Sequence, residues 1–309
     1  MKLKQVGIIP VAPLIILMLS FSCQSGRTGN QKLIEDVEST ESGGGIESFN
    51  QIYHLYPSPA EMLSIIDMTE MSYNEALLNP AGDADKYLDT KSQTYILGVY
   101  MTDLAYSALF GRHEATLDYL EVVKSLADEI RIDQAVDDEM INKARTNVEY
   151  LDSLYSISNE AFMNILSFCE RNERSNTVVM LSAGAFTESL FLAVNLIEDY
   201  TTADYMLQHL ADQKYTIDNF MTFAESVQED DPNVASTIED LKKIKLIYDG
   251  INPGSGKISV TTTTAEESDQ PKRLVIGGSG EKSQPSLTEE EFIELRAAVM
   301  ELRTKIIEG

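Results

Sequence analysis

Asp103 and Glu188 are the groups in this chain best placed to do chemistry. Each is the only charge in a long apolar stretch, Ser92–Phe110 (SQTYILGVYMTDLAYSALF) and Thr177–Ile197 (TVVMLSAGAFTESLFLAVNLI). An acid on an apolar helix needs a partner, because a buried unpaired carboxylate is costly. Two such acids brought together could work as an acid–base pair, with burial moving each from its ordinary pKa. Tyr100, Tyr106, Thr187 and Ser189 lie beside them in sequence and would line a pocket around the pair. The competing expectation is a hydrogen-bonded structural carboxylate.

Other chemistry is sparse. His54, His113 and His209 lie in separate segments, and none belongs to a pair at helical metal-ligand spacing. Gly254-Ser255-Gly256-Lys257 resembles a phosphate loop only in part, since Ile258 stands where the hydroxyl residue belongs and no strand precedes it. Gly277-Gly278-Ser279-Gly280 lacks the closing glycine of a nucleophile elbow, because Glu281 follows. The acidic clusters Asp137-Asp138-Glu139 and Glu229-Asp230-Asp231 sit at helix starts or turns and depart from the calcium-loop pattern. No catalytic residue, cofactor or metal site is therefore assigned.

The elements that would carry the two acids are helical. Aligned on Gly98 and Gly184, both apolar stretches read Gly-x-aromatic-x-x-x-Leu, and Leu126-Ala127-Asp128-Glu129 later answers Leu210-Ala211-Asp212-Gln213. A repeat of about 85 residues predicts an ancient duplication. Around these stretches the pattern predicts helices over about 84–110, with Gly111 as the stop, and about 113–131. It further predicts one long helix over about 137–171, then 177–197, 202–214, 216–228 and 232–248. Cys169 falls on the apolar seam of the long helix and reads as a small buried hydrophobe. Thr288-Glu289-Glu290-Glu291 is a capping box that opens a last helix. Its stripe of Phe292, Leu295, Val299, Leu302 and Ile306 must be buried somewhere. The Thr177–Ile197 stretch is long enough to cross a membrane, but Glu188 at its centre and its small polar residues favour a central helix of a water-soluble fold.

The start of the chain predicts an address. Lys2 and Lys4 precede an apolar run over 6–19, which closes on Ser20-Phe21-Ser22-Cys23. A charged start, a short apolar run and small closing residues make an export signal. The closing cysteine resembles the lipobox of bacterial lipoproteins, which implies acylation of Cys23 and a membrane anchor. Residues 24–48 are polar and rich in Gly and Ser, a tether with a reach of roughly 28 Å. The 50 acidic residues against 24 basic ones give a net charge of −26, which excludes nucleic acid as a partner.

Taken together, the expected architecture is all-α: an antiparallel helical bundle built from two similar helical repeats, with a flexible linker and a C-terminal helix. The expected segments are a lipoprotein signal peptide (1–22), a flexible tether (23–49), a helical domain (50–250), a low-complexity linker (251–287) and an amphipathic helix (288–309). The lipobox, the stretch from Gly98 to Phe110, the Leu-Ala-Asp that follows, Asn172-Glu173-Arg174 and the stretch from Gly184 to Leu190 are similar to a family of uncharacterised helical lipoproteins from Bacteroidetes. The resemblance implies a cell-envelope protein, lipid-anchored at the outer membrane, and brings no activity with it. The leading functional expectation is a binding or interaction module for an envelope protein or small ligand. The alternative is an enzyme acting through Asp103 and Glu188 between the repeats.

Overall fold

The computed structural model describes residues 59, 63, 66, 71–147, 150–228, 231–251 and 287–308, and among them the chain is all-α with no strand. Cys23, the leader, the tether and the linker over 252–286 lie outside the described residues. Among the described residues, eight α-helices follow a helical start at Pro59, Leu63 and Ile66. They are α1 (Thr90–Leu109), α2 (His113–Glu129), α3 (Asp138–Thr146), α4 (Leu151–Arg171), α5 (Ser175–Leu196), α6 (Asp204–Ser226), α7 (Pro232–Gly250) and α8 (Glu289–Glu308).

Side chains at the helix starts explain several boundaries. Asp89 accepts the Ser92 N–H, so α1 begins at Thr90, and the preceding Ala81–Lys86 forms a 3-10 turn rather than the expected first turns of this helix. Asp231 caps α7 ahead of Pro232. Thr288 and Glu291 exchange the two bonds of the capping box that opens α8. Gly111, at φ 61°, ends α1 with a left-handed residue and a bond from the Arg112 N–H to the Ser107 carbonyl. Arg131 and Glu173 end α2 and α4 in the same conformation without glycine's freedom, so sequence carries little sign of those stops.

Two stretches are divided into helices differently from expectation. The long helix over 137–171 is two helices, because Thr146 and Asn147 turn their side chains back onto the Asn142 and Lys143 carbonyls and close α3 there. Conversely, the two helices expected over 202–228 are one, α6. It has neither Gly nor Pro inside, and α7 holds it at two places: Lys214 donates to the Tyr248 carbonyl and Lys245 pairs with Asp218.

The core forms around α1 and α5, which make the most extensive helix–helix contact. α5 is long and apolar enough to cross a membrane, yet 94% of its most apolar window is buried inside the molecule. Its crossing with α1 depends on two glycines. A Cβ on Gly98 would collide with the Leu181 carbonyl and come within 2.7 Å of the Ala185 nitrogen; one on Gly184 would collide with the Tyr95 carbonyl. The backbones therefore touch, and Thr102 bonds across to the Ala185 carbonyl at 3.2 Å. Facing residues rise together along the two helices, Gly98 with Leu181 and Ala185, then Asp103 with Glu188. The pair runs parallel, because the intervening helices carry the chain back before α5 begins.

The apolar stripe of α8 lies on the body. Phe292, Leu295, Ala298, Val299, Leu302 and Ile306 are buried against α5 and α7. The register is marked by polar pairs in reverse order: Asn195 with Arg296, Glu188 with Arg303, Asp240 with Lys305 and Lys243 with Glu301. α8 is thus antiparallel to both helices.

These contacts generate two expectations. Gly98→Ala and Gly184→Ala should each cost at least about 1–3 kcal/mol, as overpacking against backbone does, read as a fall in Tm; an unchanged Tm would contradict the glycine crossing. Ending the chain at residue 286 should uncover the α5–α7 face, lower the Tm and raise binding of an apolar dye.

Candidate functional site

The described residues bring Asp103 and Glu188 together. Both are fully buried, and their carboxyls lie within hydrogen-bond reach of each other where α1 and α5 cross. A third group from a distant part of the chain completes the cluster. Arg303 of α8 donates from Nε to Glu188 Oε2 at 2.6 Å and from Nη2 to Glu188 Oε1 at 2.9 Å. Its Nη2 also donates to the Leu77 carbonyl at 3.0 Å, and its guanidinium stacks 4.0 Å from the Phe191 ring centre. Asp103 is held differently: its Oδ2 accepts the Asn79 N–H at 3.1 Å, while Oδ1 has no N–H donor among the described residues.

Sequence reasoning missed Arg303, although a signal existed. Arg303 follows Leu302 directly and sits four after Val299 and three before Ile306, inside the apolar stripe. An arginine on the buried face of an amphipathic helix requires a buried acid opposite.

The other candidate residues are structural. Tyr100 and Tyr106 are fully buried and fasten the segment over 71–89 across α1. The Tyr100 hydroxyl donates to the Pro80 carbonyl at 2.8 Å, and the Tyr106 hydroxyl accepts the Asn74 N–H at 3.1 Å. Tyr119 of α2 donates to the Asn79 carbonyl at 3.0 Å, and Tyr87 to the Ile307 carbonyl at 3.2 Å, so the same segment also touches α2 and α8. Thr187 turns back to the Ala183 carbonyl, and Ser189 is buried without a partner among the described residues. None of these four candidate side chains is open to solvent. Cys169 is buried on α4 as anticipated, its thiol pushed up to about 11 by burial.

The electrostatics of the cluster follow from its closure. Burial first, and then the Glu188 charge, raise Asp103 well above the usual carboxylate range, with Arg303 pulling the other way. Burial also raises Glu188, opposed by Arg303. Burial weighs against the Arg303 charge, but Glu188 and Asp103 outweigh it and hold the guanidinium above its ordinary value. Arg303 is cationic, and one cation faces two carboxyls.

A concave surface lies elsewhere. A cleft of ≈ 610 Å³ runs between Met71–Asn74 and the stretch from Asn195 to Met206, where α5 ends and α6 begins. Tyr73, Asn74, Glu198, Asp199, Thr202 and Tyr205 contribute to its wall. Among the described residues no three His, Cys, Asp or Glu side chains gather as a metal site.

Removing one member of the buried pair should expose the cost of the other. Glu188→Ala or Arg303→Ala should lose about 3–5 kcal/mol in denaturant unfolding. Replacing both, Glu188→Leu with Arg303→Met, should cost far less than either alanine change. Single variants as stable as the parent would contradict a desolvated pair. Set against protein-family models, curated proteins and solved structures, the chain matches none of them.

Proposed function

We propose that this chain is a lipid-anchored helical binding module of the cell envelope, acting by recognition rather than catalysis. The observation that carries the reading is the closure of the acid pair marked by the sequence: Asp103 and Glu188 have no exposed surface, and Arg303 takes both Glu188 oxygens. A general acid or base must reach its substrate, directly or through one water. Their burial weighs against the enzyme alternative centred on these residues. The cleft between Met71–Asn74 and Asn195–Met206 falls within the size range of small-ligand sites and is the proposed recognition surface.

In this reading residues 1–22 are a lipoprotein signal, Cys23 carries the acyl anchor and 23–49 form the tether. Residues 251–287 link the helical body to α8. The resemblance to helical lipoproteins of Bacteroidetes and the lipobox support the anchor. The body is read as two duplicated helical units, α1–α2 and α5–α6, within a helical bundle. Two observations support duplication. Each glycine meets the carbonyl of the residue three before the other glycine, Gly98 with Leu181 and Gly184 with Tyr95, a reciprocal contact. Leu126 and Ala127 in α2 are buried like their counterparts Leu210 and Ala211 in α6.

Metabolic palmitate labelling of the parent and Cys23→Ala tests the anchor: labelling lost in the variant is expected, and equal labelling sinks the anchor. A photocrosslinker placed at Tyr205 in intact cells tests recognition. A discrete adduct is expected; the absence of any adduct, with no bound molecule seen by native mass spectrometry, would overturn the cleft as the binding surface.

A further inference from the structure

The cluster of Asp103, Glu188 and Arg303 leaves one account open, that of its protons. Arg303 directs its N–H groups to Glu188 and to the Leu77 carbonyl. Asp103 Oδ2 takes the Asn79 N–H, and Oδ1 is left without an N–H donor in a fully closed site. Two ionised carboxylates in contact, with one guanidinium between α5 and α8, would leave an unbalanced negative charge away from water. A proton on Asp103 removes that charge, turns Oδ1 into a donor, and bridges to Glu188.

We infer that Asp103 and Glu188 form a proton-binding site that holds one proton, resting on Asp103, while Arg303 is docked. The proton comes from solvent when the chain closes and returns to solvent when the cluster opens; no other bond changes. The site makes the stability of the closed cluster pH-sensitive, since loss of the proton leaves two carboxylates repelling each other away from water, which one guanidinium offsets only in part.

The surroundings leave this proton as the one that responds. Tyr100 and Tyr106 face the pair from α1, Tyr119 from α2, and Tyr73 and Tyr87 from the segment over 71–89, which also carries Asp83 and Asp85 toward Tyr100. Burial raises all five tyrosines, so they stay neutral where a carboxyl titrates. Asp103 is raised in the folded chain, so its contribution to stability is whole below the ordinary carboxylate value of about 3.9. It is lost as pH climbs from there through the folded value.

Two measurements on the full chain test the site. Infrared spectra at neutral pH should contain the carbonyl stretch of a protonated carboxyl, absent in Asp103→Asn. Asparagine keeps a donor toward Glu188 and an acceptor for the Asn79 N–H but cannot titrate. In urea unfolding, the folding constant of Asp103→Asn relative to the parent should rise about tenfold per pH unit while the parent retains its proton. A parent spectrum without the band overturns the inference whether or not the variant folds. A band that persists in Asp103→Asn, or a stability ratio independent of pH, overturns it as well.

Discussion

A buried guanidinium facing two buried carboxyls is the constraint on which the rest of this structure depends. Ions in a closed interior are tolerated only when their partners are placed well and their hydrogen-bonding capacity is used. Here three distant parts of the chain are committed by that demand: α1 supplies Asp103, α5 supplies Glu188, and α8 supplies Arg303. The Leu77 carbonyl and the Asn79 N–H draw in a fourth part, the segment over 71–89. Such a cluster adds little net stability compared with an apolar one. It does specify arrangement, since a one-turn slip of α8 would strand Glu188 without a cation and leave Arg303 facing apolar side chains.

The close crossing of α1 and α5 makes the cluster geometrically possible. With any side chain at Gly98 or Gly184 the helices would stand further apart, and Asp103 and Glu188 would not be within reach of each other. Both helices are apolar around nearly their whole circumference, so each must be covered on all sides. Helices α2, α4, α7 and α8 provide that cover, and the tyrosines pin the segment over 71–89 over the remaining face. The large hydroxyl-bearing side chains that flank the acids thus serve as fasteners: each buries a ring and spends its hydroxyl on a backbone group that would otherwise go unsatisfied.

Much of this was legible from sequence. All-helical character, the burial of Cys169 and of the α8 stripe, and the cap at Thr288 follow from periodicity and local hydrogen-bonding chemistry. These are short-range properties that a few neighbouring residues settle. The breaks were less legible where they relied on unusual local choices. Arg131 and Glu173 adopt a conformation that glycine usually marks, and the Thr146-Asn147 stop depends on side chains folding back onto carbonyls.

The sequence by itself determined that Asp103 and Glu188 would need partners, because a lone acid in an apolar helix has no local means of satisfying its charge. Only the tertiary structure decided what those partners are. Arg303 lies 115 positions from Glu188, and nothing local links them. Tertiary contact also decided that α1 and α5 run parallel, since helix direction depends on how the intervening chain returns and not on the pattern within either helix. The same contacts buried the residues expected to line a pocket. Tyr100, Tyr106, Thr187 and Ser189 neighbour the acids in sequence, but whether neighbours line a cavity or plug it depends on how closely two backbones approach, and here they touch.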